Sequence, residues 1–164
     1  MKKLVTVVLD TGPVISLSMI DKLDLLPHLF DKIFIPNAVW EELNRSDFSR
    51  DFPGVKLFFE GRVKNVNSFN ELILITDYGE SESMLLYKEL EADFLVIDDK
   101  KARSIAEELE INCIGTLAVL VKAKEKGLIS TLKPIFENLM QNRRYYSKSV
   151  LNKILSRQRE SFLK

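Results

Sequence analysis

The sequence predicts an α/β protein: a mainly parallel central sheet covered by helices on both faces. Three observations predict it. Apolar runs too short for buried helices recur at LVTVVL, KIFI, DFLVID and INCIG, and strands buried on both faces read in this way, without polar alternation. Helical patterns separate these runs through short loops, the order that gives right-handed crossovers between parallel strands. Several runs also end at carboxylates, which would then point into one crevice at the carboxyl edge of the sheet.

The elements follow in order. Leu4 to Leu9 forms the first strand, because β-branched residues dominate it. DTGPVISL turns sharply, with Gly12 and Pro13 ending the strand and Pro13 suited to a helix start. After LDLLPHLF come a strand at Lys32 to Ile35 and a helix from Pro36, at its first position, through Leu43. SDFSRDFPG reads as a loop, and a short strand is expected within Arg62 to Val66. A helix covers Glu80 to Leu90, a strand ends at Asp98, and a helix runs from Lys100 to Leu109 with Ala102, Ile105, Ala106 and Leu109 at helical spacing. INCIG is the last strand. TLAVLVKAKEKG is a helix closed by Gly127.

At 164 residues the chain fits one domain with a core that needs neither disulfides nor structural metal. It divides into an α/β body over 1–130 and a basic helical carboxyl-terminal extension over 131–164, packed on the same domain or continuing it. The composition is 46% apolar and 29% charged, which excludes long disorder. No apolar run approaches the roughly 20 residues that span a bilayer, and the amino terminus has too short an apolar stretch for a signal peptide. A cytoplasmic protein is expected. Cys113, alone, reads as a buried small hydrophobe. Net charge is zero, but residues 131–164 hold eight Lys or Arg against two Glu, while the rest carries 16 cations against 22 acids. Such a division suits acids that hold metal and cations that meet phosphate elsewhere, and equally a solvated helical tail.

Asp10 ends an apolar strand, where a charge needs a partner, a hydrogen bond or a metal. In the helix from Pro36, Val39, Trp40 and Leu43 mark the buried stripe, so Glu42, nearer its edge, is the site candidate and Glu41 faces water. Asp77 with Glu80 spells a capping box, and Glu80 also sits in the positive end of the helix dipole, ready for a cation. Glu82 points elsewhere and is expected to be exposed. Of Asp98 and Asp99, one caps the following helix and the other faces the crevice, and spacing does not say which. Thr116 is expected to cap the last helix and to orient a neighbouring carboxylate.

Three or four carboxylates in one crevice need a cation, since a pair about 4 Å apart repels by roughly 4 kcal/mol at a protein-surface dielectric. Oxygen donors without His or Cys select Mg²⁺ or Mn²⁺. His28, the single histidine, lies away from these loops, which removes His-based zinc sites and Ser-His-Asp triads. Phosphodiester hydrolysis is the natural chemistry of such a site. Other strand-end aspartates fit less well. LDTG matches the aspartic-protease triplet, but that fold is all-β and needs a second such aspartate. A phosphoryl-accepting receiver has its acidic pair early in the chain, not late, and a haloacid dehalogenase needs an aspartate where Gly12 stands.

VLDTGPVISL, FIPNAVWEEL, YGESESMLLYKEL and FLVIDDKKARSIAEELEINCIGTLAVLVKAKEKGLI resemble, in this order, the PIN domain, in its VapC-like prokaryotic branch with DDxxAR and GTxxxL signatures. The resemblance covers nearly the whole chain and loosens over NRRYYSKSVLNKIL. It implies a three-layer α/β/α sandwich and an Mg²⁺- or Mn²⁺-dependent ribonuclease acting on RNA, the toxin of a toxin–antitoxin pair held by a small antitoxin protein, and a homodimer. The implied metal and catalytic residues are Asp10, Glu42, Glu80 and one or both of Asp98 and Asp99, supported by Thr11 and Thr116. Many PIN toxins have an aspartate where this chain has Glu80. Lys100, Lys101, Arg103, Arg143 or Arg144 would grip the RNA backbone. A second reading keeps the fold as a nucleic-acid- or protein-binding module with little catalysis. In it, Tyr145 and Tyr146 stack bases between Arg143 and Arg144, unless the terminal helix packs on the core or on a second subunit.

Overall fold

A computed structural model describes residues 1–144 and 146–164, with the side chain of Ser49 left aside. The elements in chain order are β1 (Thr6–Leu9), α1 (Thr11–Met19), α2 (Leu26–Leu29), β2 (Lys32–Pro36), α3 (Asn37–Arg45), α4 (Phe48–Asp51), α5 (Gly54–Phe59), β3 (Val63–Lys64), α6 (Tyr78–Glu89), β4 (Phe94–Val96), α7 (Lys100–Glu108), β5 (Cys113–Ile114), α8 (Thr116–Glu125), α9 (Lys133–Gln141) and α10 (Lys148–Arg157), with 3₁₀ turns at Leu23–Leu25 and Glu71–Leu74. The five strands are parallel in the order β3-β2-β1-β4-β5. The chain reverses its direction of travel at β1 and β4, so their carboxyl ends flank the crevice where α/β sheets place ligands.

Alternate residues of each central strand feed opposite faces, as the pleat requires. Val7, Leu9 and Val96 pack with α1, α3 and α8, while Val8, Leu95 and Ile97 pack with Met84 and Leu86 of α6 and Ala102 and Ala106 of α7. Both faces are therefore dry, which is why these runs show no polar alternation. The carboxyl-terminal helices join the first of these cores: Leu132, Phe136, Leu139, Leu151 and Leu155 are fully buried in it.

The structure departs from the sequence reading in local ways. Strand pairing starts at Thr6 rather than Leu4. Helix α1 begins at Thr11, with Pro13 in its third position, where no intrahelical partner is needed for the missing N–H. Pro36 ends β2 and precedes α3 rather than opening it. SDFSRDFPG is not a loop: α4 covers Phe48–Asp51, because Phe48 and Phe52, one helical turn apart, stack at 4.7 Å and pack on the core. Gly127 closes α8 at φ 74°, with its N–H on the Lys124 carbonyl and that of Leu128 on Ala123, the paired bonds of a Schellman end.

Candidate functional site

Asp10 follows β1 directly, and its N–H continues the ladder by donating to the Val96 carbonyl at 3.0 Å. This fixes a carboxylate, 7% exposed, at the floor of the crevice between β1 and β4. The hydroxyl of Ser83, itself fully buried, reaches one of its oxygens at 3.4 Å while donating to the Gly79 carbonyl at 2.7 Å. Burial pushes the Asp10 carboxyl up to about 7; a backbone hydrogen bond from Thr11 opposes this, and the charges of Glu80, Asp77 and Glu42 add to it.

Helix α3 brings Glu42 to the rim, where the Thr11 hydroxyl donates to its Oε2 at 2.6 Å. The same oxygen lies 2.9 Å from where a Cβ on Gly79 would stand, so the absence of a side chain there lets the carboxylate rest on the first turn of α6. The capping box at that turn forms as expected: the Glu80 N–H donates to Asp77 at 2.8 Å, and the Asp77 N–H donates to the Glu80 carboxylate at 3.4 Å. Glu80 is raised above the ordinary carboxylate range, by burial first and then by Asp77, with Asp99 and Glu42 adding to the effect. Asp77, identified in the sequence only as a cap, is thus one of the crevice acids.

Of Asp98 and Asp99, which spacing left unassigned, Asp99 is the cap of the following helix and Asp98 faces the crevice. Both serve helix starts. Asp99 caps α7 through one oxygen, accepting from the Ala102 N–H at 2.9 Å. Asp98 reaches across to α8: one oxygen accepts from the Thr116 N–H at 2.8 Å, the other from the Thr116 hydroxyl at 2.7 Å and the Tyr146 hydroxyl at 2.8 Å. Thr116 is the first residue of α8, with Gly115 in the cap position, and it orients a neighbouring carboxylate. A Cβ on Gly115 would come within 3.1 Å of Asp98, which accounts for glycine beside it.

The carboxyl-terminal segment completes this side of the crevice. Tyr146 bridges Asp98 and Ser16, its hydroxyl 3.0 Å from that of Ser16, and burial, then the charge of Asp98, pushes its phenol up to about 12. Arg144 donates to the Ser16 hydroxyl at 2.8 Å and to the Gly12 carbonyl at 3.2 Å. Tyr145 lies outside the described residues. No signal in the sequence links Tyr146 to Asp98, 48 positions away. Removing the bridge with Tyr146→Phe should cost about 1 kcal/mol, read from urea denaturation; no change in midpoint would show the bond to be idle.

Asp10, Thr11, Glu42, Asp77, Glu80, Asp98 and Asp99 thus line one cavity with Lys100 and Arg144. Arg103 lies alongside, tied to Glu107 and to the Cys113 carbonyl, whereas Lys101 and Arg143 are exposed away from it. One expectation fails. Glu82 is buried, not exposed, and accepts from Asn70 at 3.1 Å on another side of α6. Glu41 lies outside the cavity, 44% exposed and paired with Arg45 at the surface, as expected.

Among the described residues, none of these crevice acids is in an ion pair with a lysine or arginine. Oxygen-only donors carrying uncompensated charge fit a hard divalent cation. Their spacing is looser than a closed cage, for no three described His, Cys, Asp or Glu side chains converge tightly enough to hold one ion together. Gly79→Ala tests how Glu42 is seated. The new methyl group should displace the flexible carboxylate, leave stability within about 1 kcal/mol and weaken Mn²⁺ binding in calorimetry; an unchanged affinity would remove Glu42 from the site.

A parallel sheet with acids gathered at its switch point and cations at the rim defines an α/β protein with an acidic crevice. A family model described as DUF3368, a PIN domain, matches residues 6–160, and the chain belongs to that family. PIN domains are generally nucleases and typically use divalent metal ions. Comparison with curated proteins and with solved structures gives no significant match. No helix among the described residues is long and apolar enough to cross a membrane.

Proposed function

We propose that this PIN domain is a metal-dependent endoribonuclease that hydrolyses RNA phosphodiester bonds, in the VapC-like branch. We further propose that it is a cytoplasmic, homodimeric toxin restrained by a small antitoxin protein. The observation that carries the nuclease reading is the gathering of Asp10, Glu42, Asp77, Glu80, Asp98 and Asp99 on one cavity. Six acids against Lys100 and Arg144 favour cation binding over anion binding. Asp10, Glu42, Glu80 and Asp99 would hold Mg²⁺ or Mn²⁺, and Asp98 would stand behind them, fixed by Thr116 and Tyr146. When bound, the ion supplies positive charge for the phosphoryl transition state and acidifies a water molecule.

The chain's own groups then divide the work. Thr11 and Gly79 seat Glu42 at the rim. Ser83 orients Asp10, and the capping box limits the swing of Glu80. Lys100 and Arg144, on the same cavity, oppose the charge of the phosphate backbone. Residues 131–164 complete the domain in this reading. RNA cleavage with Mn²⁺ tests it: Asp10→Asn keeps the shape and should lower the rate by about 10²–10³-fold, and equal rates would overturn it. The loose spacing of the acids favours one rival, a PIN-fold binding module with little or no catalysis. That rival predicts RNA binding without metal and no cleavage by the wild type.

A further inference from the structure

Beside the acid crevice lies a second cavity of about 670 Å³, and the two share Asp98, Lys100 and Arg144 as a common wall. It has two characters. Lys100, Arg103 and Arg144 give it positive charge, while Leu117, Val150 and Ile154 give it an apolar floor. Asp98, the acid on the shared wall, already accepts three hydrogen bonds from Thr116 and Tyr146. Arg144 uses two of its five N–H groups on Ser16 and Gly12, which hold its guanidinium in place at the boundary.

We propose that this cleft is a nucleotide subsite. It holds one residue of a single-stranded nucleic acid whose neighbouring phosphate lies at the acids. Lys100 and Arg144 grip the phosphate between the two cavities, Arg103 faces the next one, and the base rests on the apolar floor. The inference deepens the nuclease reading and rests on it. Charge selects the occupant: a chain of anions gains from Lys100 and Arg144, with Arg103 already shared with Glu107, and needs the acid crevice only where its reacting phosphate sits. The volume falls within the range of about 300–1,000 Å³ typical of small-ligand pockets, enough for a nucleoside but not for a duplex. A base meets the floor without hydrogen-bond readout, so binding should tolerate any sequence.

Val150 offers a clean test, because it is 44% exposed and lies in the first turn of α10, where an acid suits the helix dipole. Full-length Val150→Glu and Val150→Gln are compared with wild type by fluorescence anisotropy, using short labelled single-stranded RNA, and DNA of the same sequence, at low salt in EDTA. The Glu variant should bind about tenfold more weakly, the Gln variant within about threefold of wild type. Lys100→Ala should reduce the salt slope of log affinity by about 0.7, the share of one single-strand phosphate. Wild-type affinity in Val150→Glu, or equal losses in both Val150 variants, overturns the subsite. Cleavage with Mn²⁺, assayed on the same preparations, separates the two readings. A wild type that cleaves while Val150→Glu binds normally retains the nuclease and loses the cleft. A wild type that binds through the cleft and cleaves nothing loses the nuclease, and with it the placement of the phosphate at the acids.

Discussion

Asp10→Asn should melt at a higher temperature than the wild type at and above pH 7, while the two converge near pH 4. The folded Asp10 carboxyl titrates at about 7, against 3.8 for the ordinary group. Between those values the native state binds more protons than the unfolded chain, so stability falls as pH rises and stays low above pH 7. At about 1.36 kcal/mol per unit, the loss reaches at most about 4 kcal/mol. Asn carries no such charge and escapes it. Mn²⁺ should narrow the gap from the other side, since ligand at about 100 times its Kd adds about 2.7 kcal/mol to a protein that binds it, and the variant should gain far less. Thermal melts across pH, with and without Mn²⁺, give both readings. Equal stability of the two proteins at pH 8 would mean that the fold already compensates the charge.

How much of this was legible depends on the range of each interaction. The strands showed because a sheet buried on both faces writes itself as unbroken apolar runs, as in Leu4 to Leu9 and DFLVID. The Asp77–Glu80 cap showed because both its bonds close within three residues. Helix α4 did not show, since its polar residues mask the Phe48–Phe52 stack that holds it to the core. Glu82 read as exposed because its partner, Asn70, lies in a stretch with no readable pattern. Asp98 stayed ambiguous for a similar reason: its partners Thr116 and Tyr146 are 18 and 48 residues away, and spacing carries no information at that distance.

Phe136→Ala should cost about 3–5 kcal/mol, the range for emptying a large aromatic site in a packed core. Phe136 is fully buried in the cluster that also takes Val7 and Leu9 of β1 and Leu151 and Leu155 of α10. If residues 131–164 are structurally continuous with the body, denaturant unfolding of the variant remains a single transition at a lower midpoint with the same slope. A split into two transitions, or a loss below about 1 kcal/mol, would show the terminal helices to be an independent layer.

The bridge from Tyr146 to Asp98 bears on the order in which a nascent chain matures. Every acid of the crevice has been synthesised by residue 99, but the phenol and guanidinium that anchor its far wall are made more than forty positions later. A partly synthesised polypeptide therefore displays the carboxylates without the group that fixes Asp98 in place. A chain cut before Tyr146 would leave Asp98 with Thr116 as its hydrogen-bond partner.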